Sequence, residues 1–301
     1  MLLTMLQGAV SLGLLWSLFA IAVHLTFRVL ETPDLSVEGT IILGAGIAAR
    51  FIADGFNPFF ATFLAMCIGC IGGLVTGILH TKFKIPPILS GILTMIGSYS
   101  VAIRIMGTSN VGLPVHGPMR VTSVYTFLHE AGFPHRTAVI IFALAFVALA
   151  ATLLYCFYGT EVGAALRATG NNRQMAKAQG VNTEAMIILG LIISNGFVGL
   201  AGALIAQNDG AAEITMGAGT IVIGLASVTI AEVLFRTRRF WVRMVSLILG
   251  AILYQIVIAL VLMLGMAPTD LRLFTAIIVA IALTLPLIRD KLSGAKKRRA
   301  S

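Results

Sequence analysis

Charge is scarce in this chain: Asp and Glu number 12 and Lys and Arg 21 in 301 residues, 11% together, where soluble domains carry about a quarter. With 58% hydrophobic residues and a mean hydropathy of +0.99, that scarcity excludes a water-soluble globule. Cysteine is nearly absent too. Cys67 and Cys70 fall inside one apolar run and Cys156 near the end of another, so none has the loop setting of a disulfide. A CxxC spacing can serve redox or metal chemistry, but βαβ context and companion His and Asp ligands are lacking, and small apolar packing is the plainer reading. Reaction motifs are missing as well. There is no GxxxxGK[ST] to cradle ATP phosphates, no HExxH and no GxSxG, and no apolar run carries the paired carboxylates of a proton-driven carrier. The energy source for whatever this chain does is expected on another subunit. The N-terminus lacks a basic leader and a small-residue cleavage site, so its first apolar run reads as a retained helix.

What is present is a succession of apolar windows, near 6–26, 37–54, 58–80, 86–106, 136–158, 183–207, 217–235, 241–264 and 270–288. A helix needs roughly 20 apolar residues to cross about 30 Å of hydrocarbon. The windows predict an all-α polytopic membrane protein of about nine transmembrane helices, a single transmembrane domain over 1–301. The formal charge of +9 does not point to nucleic acid, because the basic residues form short clusters between apolar runs without interleaved aromatics. They read as topology signals. In an alternating nine-span arrangement Arg28, Lys82, Lys84, Arg167, Arg173, Lys177, Arg236, Arg238, Arg239, Arg243 and the tail at 289–301 fall on one side. The other side holds Arg50, Arg120, Arg136 and Arg272, with Arg104 near it. Positive residues stay inside, which predicts an outside N-terminus, a cytoplasmic C-terminus and a cytoplasmic loop at 159–183. Trp241 suits the inner aromatic belt, and the KKRR tail suits contact with anionic lipid.

The outer side has one sizeable connection, 107–136. Gly112, Pro114, Gly117 and Pro118 mark turns in it, and VTSVYTFLHEAGF follows, either as a plain loop or as a short amphipathic helix turning Val121, Val124, Phe127 and Leu128 to the protein. Within the spans, Gly69, Gly73 and Gly77 recur every fourth residue and Gly196, Gly199 and Gly202 every third. Such faces let backbones approach where lipid offers no hydrophobic drive. His24, Arg104 and Glu232 lie within reach of an interface and can snorkel. Ser194 and Asn195 sit near mid-span, open to an interhelical hydrogen bond or to a place on a translocation path.

The polar stretch GTEVGAALRATGNNRQMAKAQGVNT at 159–183 stands apart. Thr160 can cap a helix over 161–169 with Glu161 at its positive end, and Gly170, Asn171 and Asn172 then make a turn. A second helix over 173–179 stops at Gly180, and Asn182 can cap the next span. Small apolar side chains flanked by Arg167, Arg173 and Lys177 are more than a connector needs; the stretch reads as a surface built for another protein.

Within it, LRATGNNRQMAKAQGVN resembles the cytoplasmic coupling loop of bacterial ABC-importer permeases of the branched-chain amino acid and ribose type. PDLSVEGTIILGA at 33–45 resembles that family's DLSVG segment, and KFKIPPILSGILTMIGSYSVAIRIMG resembles its lysine, proline and TLG stretch. The overall look is nearest the small permeases that work with binding proteins of the tryptophan and tyrosine type. The resemblance implies a permease, not an enzyme, with no cofactor of its own. ATP and Mg would sit on a separate cytoplasmic ATPase, an external binding protein would deliver a small solute, and a second permease copy would complete the path in the inner membrane. It assigns Glu161, Gly163, Arg167, Ala168, Thr169, Gly170, Asn171, Ala176 and Gly180 to the ATPase contact. Two departures stand out: the chain starts at what is the second helix of ribose-type members, and AEVLFRTRRFW replaces a glycine-rich turn. An ion-driven secondary carrier using Arg104, Glu232, Ser194 and Asn195 is the alternative, and a membrane-embedded enzyme lacks a recognisable nucleophile, metal set or cofactor loop.

Overall fold

The computed structural model describes residues 2–113, 122–235 and 240–263, together with 277 and 284. Eight apolar helices occupy the first eight windows: α1 Leu2–His24, α2 Val37–Ala53, α3 Pro58–Thr81, α4 Pro87–Met106, α6 His135–Tyr158, α9 Thr183–Asp209, α10 Thr220–Leu234 and α11 Phe240–Met263. The window at 270–288 lies outside the described residues, apart from two isolated positions. Short elements fill the connections: β1 Asn110–Gly112, α5 Thr126–Glu130, α7 Glu161–Asn171, α8 Arg173–Ala178 and β2 Ala211–Glu213.

Among the described residues six helices are long and apolar enough to cross a membrane, the first of them α1 continued through a π-helical turn at Leu25–Val29. A full span at every window is not confirmed at α2 and α10. With 17 and 15 residues they rise only about 25 and 22 Å. Burial sorts the long helices into two shells. The α1 and α9 windows are 83% and 78% buried, whereas α3, α4, α6 and α11 are 28–39% buried and turn apolar side chains outward. The short α2 joins the inner shell, with Ile41, Ala45, Ala48 and Ala49 fully enclosed.

Glycine lets that inner shell close. Cβ atoms added at Gly69 and Gly73 would strike the carbonyls of Asn195 and Leu191 on α9, and one at Gly77 would lie 3.0 Å from Ile188 Cα. From the other side a Cβ added at Gly199 would lie 2.5 Å from the Ala65 carbonyl and one at Gly196 2.7 Å from Cys70 Sγ, and Gly202 abuts Ile41 of α2. The glycine faces expected from the sequence therefore form the α3–α9–α2 seam, and Cys70 packs within it. Gly73→Val should cost about 1–3 kcal/mol by overpacking. Gly97→Ala, facing open space on α4, should change stability by no more than about 0.5 kcal/mol. Thermal unfolding of the two variants in detergent measures the difference.

At the end of the bundle away from α7 and α8, β1 pairs antiparallel with β2, Val111 opposite Ala212, a small departure from an all-α fold. The segment before α6 is folded onto the bundle through Tyr125, whose hydroxyl donates to the Leu204 carbonyl at 2.9 Å, and through Val124, whose N–H donates to Gln207 Oε1 at 2.9 Å. The expected apolar face is half right. Val124 is enclosed and Leu128 partly so, but Phe127 is 68% exposed, because the helix is only five residues long and Tyr125 occupies the inward position. Pro114, Gly117, Pro118 and Val121 lie outside the described residues. His24 is also corrected. It is 2% exposed in the inner shell and so does not snorkel.

Candidate functional site: the polar loop and the buried seam beneath it

Side-chain caps define the loop. Thr160 Oγ1 accepts from Gly163 N–H at 3.1 Å to start α7, Asn172 Oδ1 accepts from Met175 N–H at 3.0 Å to start α8, and Asn182 Oδ1 accepts from Ala185 N–H at 3.1 Å to start α9. Gly180 adopts φ +82, the left-handed conformation that ends α8. The caps at Thr160 and Asn182 and the stop at Gly180 are as the sequence predicts, but the turn is one residue long. Gly170 and Asn171 continue α7, and Asn172 alone, at φ −158, breaks the path and serves both helices.

The structure divides the nine residues singled out in the loop into two sets. Gly163, Thr169, Gly170 and Ala176 are buried, while Glu161, Arg167, Ala168, Asn171 and Gly180 are exposed. The buried set seats the loop on the bundle. Gly163 lies against the Phe157 carbonyl and Tyr158, and Gly170 lies against the Val29 carbonyl and Leu30, both so closely that no Cβ fits. Leu166, fully enclosed, packs with Leu25, Leu30 and Tyr158. Two arginines add directed contacts. Arg167 Nη2 donates to the Tyr158 carbonyl at 3.1 Å with its guanidinium 5.7 Å from that ring's centroid, and Arg173 Nη2 donates to Thr32 Oγ1 at 2.7 Å. Around the exposed set stand Val162 at 43% and Met175 at 64% exposure. The loop thus has an inner face fitted to the end of α1 and an outer face of small and flexible apolar groups among cations.

The surface against which the loop rests is irregular backbone. Leu30 N–H donates to the Leu25 carbonyl at 3.0 Å, closing the π turn, and Glu31 follows at φ +49, a left-handed conformation uncommon outside glycine. The chain then runs inward to Asp34, whose side chain is fully enclosed. Asp34 Oδ1 accepts from Ser36 N–H at 2.9 Å and contacts Ser36 Oγ at 2.6 Å, and Oδ2 accepts from Asn195 Nδ2 at 2.8 Å. Asn195 Nδ2 also donates to the Leu191 carbonyl at 3.1 Å, while its Oδ1 accepts from Thr40 Oγ1 at 2.7 Å and lies 3.1 Å from Ser36 Oγ. Ser194 Oγ donates to the Ala22 carbonyl at 2.9 Å. Ser194 and Asn195 are both fully buried, and each joins α9 to a neighbouring segment.

Asn195 is twelve residues into α9, about 18 Å along its axis, so the Asp34 seam lies deep in the bundle. Here the two short helices begin. Asp34 meets the first turn of α2, and Glu38 Oε1 accepts from Gly219 N–H at 3.1 Å and Ile221 N–H at 3.4 Å at the start of α10. Each acid faces the positive end of one of these shorter helices. Beside the seam an apolar cavity of about 250 Å³ opens between α3, α6 and α9, lined by Met66, Cys70, Leu153, Phe157 and Ile193 among others. At the loop end Glu232 pairs with Arg28 at 2.6 Å and Lys82 with Glu184 at 2.8 Å, exposed bridges that contribute little stability. Trp241, 45% exposed, packs 4.8 Å from the Tyr155 ring at the same end.

Asp34 was not among the residues that polarity in the spans picks out, because it falls between two windows. Its signal is the D-x-S spacing before an apolar run, a helix-start pattern. Arg104 closes α4, Glu232 is held by Arg28, and Ser194 and Asn195 by other backbone and side-chain partners, so a carrier's polar set is distributed over separate contacts.

Residues 5–284 match the family described as branched-chain amino acid transport system / permease component. The tyrosine transport system permease protein of Clostridioides difficile is 42% identical over 267 residues, 89% of this chain and 86% of that protein. The probable branched-chain amino acid transport permease protein LivH of Methanocaldococcus jannaschii is 24% identical over 223 residues, covering 72% and 70% of the two chains. The fructose import permease protein FruG of Bifidobacterium longum is 24% identical over 233 residues, covering 73% and 67%. No solved structure matches the chain. With six helices long and apolar enough to cross a membrane among the described residues and the family match across 5–284, this chain is a multi-pass membrane protein and belongs to the branched-chain amino acid transport system permease family.

Proposed function

We propose that the chain is the membrane subunit of an ATP-driven importer, with the α7–α8 loop docking a cytoplasmic ATPase. The observation that carries this reading is the two-sided loop, whose inner face fits the π turn without a gap while Ala168 and Met175 stand free on the outer face. A connector would not need both faces. The basic residues Arg28, Lys82, Lys84, Arg173 and Lys177 cluster at the loop end, consistent with a cytoplasmic position by the positive-inside rule, an outside N-terminus and a cytoplasmic C-terminus. ATP and Mg are then handled by the partner, an external binding protein delivers the cargo opposite the loop, and a second copy completes the path. The 42% identity to a tyrosine transport permease favours an aromatic amino acid as cargo.

The exposed and buried sets have different parts in this reading. Glu161, Arg167, Ala168, Asn171 and Gly180, with Met175, meet the ATPase, and Gly163, Thr169, Gly170 and Ala176 pass its motion to α1. Ser194 and Asn195 lock helices rather than line the path. Ala168→Glu combined with Met175→Glu should abolish co-purification of the ATPase while the permease still inserts. Retention of ATPase binding and uptake by that double variant would refute the docking face. Ala176 is unsuitable for the test, since it is 4% exposed and an acid there would unfold the loop itself. Uptake driven by an ion gradient with no ATPase present would establish the carrier instead.

A further inference from the structure

Glu38 is a carboxylate at mid-depth that the packing leaves partly open. Its neighbour Gly39 lies against α4, where an added Cβ would be 2.7 Å from the Met95 carbonyl and 2.9 Å from Ser98 Cβ, near the middle of that 20-residue helix. The Glu38 side chain is half-buried, whereas that of Asp34, one turn earlier, is fully enclosed. Only one of its oxygens is used. Oε1 accepts from Gly219 N–H at 3.1 Å and from Ile221 N–H at 3.4 Å, while Oε2 makes no hydrogen bond among the described residues. No cation among the described residues pairs with it either: Arg28, Arg50 and Lys82 are bridged to Glu232, Asp54 and Glu184, and Arg104 lies more than a turn beyond Tyr99 on α4. Ala218 and Gly219 beside it are exposed, and Tyr99 stands within its electrostatic reach.

Capping α10 does not account for this arrangement. The helix start is satisfied through Oε1 alone, and a glutamine carbonyl would serve there as well. The charge and the second oxygen are left over. Ionisable groups at such depth face a bundle interior or a water-filled path, because hydrocarbon leaves a charge unsolvated. The end of α10 amounts to about half a positive charge, so the full charge of the carboxylate leaves the place net negative. We propose that Glu38 is a cation subsite on the translocation path, with Oε2 taking the ammonium group of an amino acid cargo while Oε1 stays on α10. Tyr99 adds an aromatic ring close by, and such rings attract ammonium groups. Asp34, enclosed and turned to α9, offers a passing solute no such access. That the cation belongs to the cargo rests on the importer reading above; that the subsite takes organic ammonium ions rests on the geometry of Glu38.

Thiol labelling of the purified permease in nanodiscs tests this without the ATPase. With Cys67, Cys70 and Cys156 replaced by alanine, Tyr99→Cys is the reporter. A trimethylammonium-ethyl methanethiosulfonate should modify it about tenfold faster than the sulfonate-ethyl reagent, once each rate is divided by that for free cysteine. Adding Glu38→Gln should bring the ratio close to unity with thermal unfolding unchanged, since the amide carbonyl still caps α10. L-Phenylalanine methyl ester, an ammonium without a carboxylate, should slow labelling of the reporter and lose that effect in Glu38→Gln; 3-phenylpropionate, which lacks the ammonium, should not slow it. No labelling by either reagent, a charge preference that survives Glu38→Gln, or equal protection by the two phenyl compounds overturns the proposal. A Glu38-dependent preference in a permease that takes up no amino acid with its ATPase would leave the cation subsite standing and refute the importer reading instead.

Discussion

Gly170→Val is expected to lower uptake by about tenfold or more while leaving insertion and the spans intact. Gly170 sits in the last turn of α7 with its Cα against the Val29 carbonyl and Leu30, where any side chain overlaps backbone rather than a movable side-chain tip. The strain, about 1–3 kcal/mol, has to be relieved by lifting α7 off the π turn. That lift also withdraws the enclosed Leu166 and loosens the Arg173 bond to Thr32, so the loop loses its grip on the end of α1. Each 1.4 kcal/mol is a tenfold change in the equilibrium between seated and unseated loop. The measurement is uptake in proteoliposomes holding permease and ATPase, set against ATPase co-purification. Reduced uptake with the ATPase still bound is the expected pattern, since the outer face is untouched. Wild-type uptake would show that the Gly170 seat transmits nothing.

The second large effect is on stability. Asn195→Leu, similar in size, removes the donor to Asp34 Oδ2 and the acceptor for Thr40, leaving buried polar groups that cost about 1–3 kcal/mol each, for a total on the order of 3 kcal/mol. Ser194→Ala loses a single bond to the Ala22 carbonyl and should cost about 1 kcal/mol. The neighbours therefore separate cleanly in a thermal unfolding series in detergent. Equal shifts for the two variants would mean that the Asp34 seam does not hold α2 to α9.

Much of the architecture is legible in the residues themselves. Eight apolar windows agree with eight helices to within a few residues at each end, because a run that must leave water carries its length in its composition. Thr160, Asn182 and Gly180 mark ends correctly, since capping depends on residues a few positions away. Depth is not local. The windows of α2 and α10 look like spans, yet these helices are short and begin inside the bundle, where Asp34 and Glu38 meet their first turns.

The same division runs through the candidate site. That 159–183 forms two short helices rich in small residues, and that 69, 73 and 77 form a packing face, follows from the order of residues, because spacing along one helix is a local property. Which residues of the loop face outward could not be read there. Gly170 looks like a turn and is helical and buried, and Ala176 looks like a contact and is enclosed, because another element, the π turn of α1, decides which side is inside. Asn195 could equally have met a solute. Its partner Asp34 lies 161 positions away in the chain, and only the folding of α2 against α9 brings the two acceptors, two hydroxyls and one amide into a single hydrogen-bonded seam.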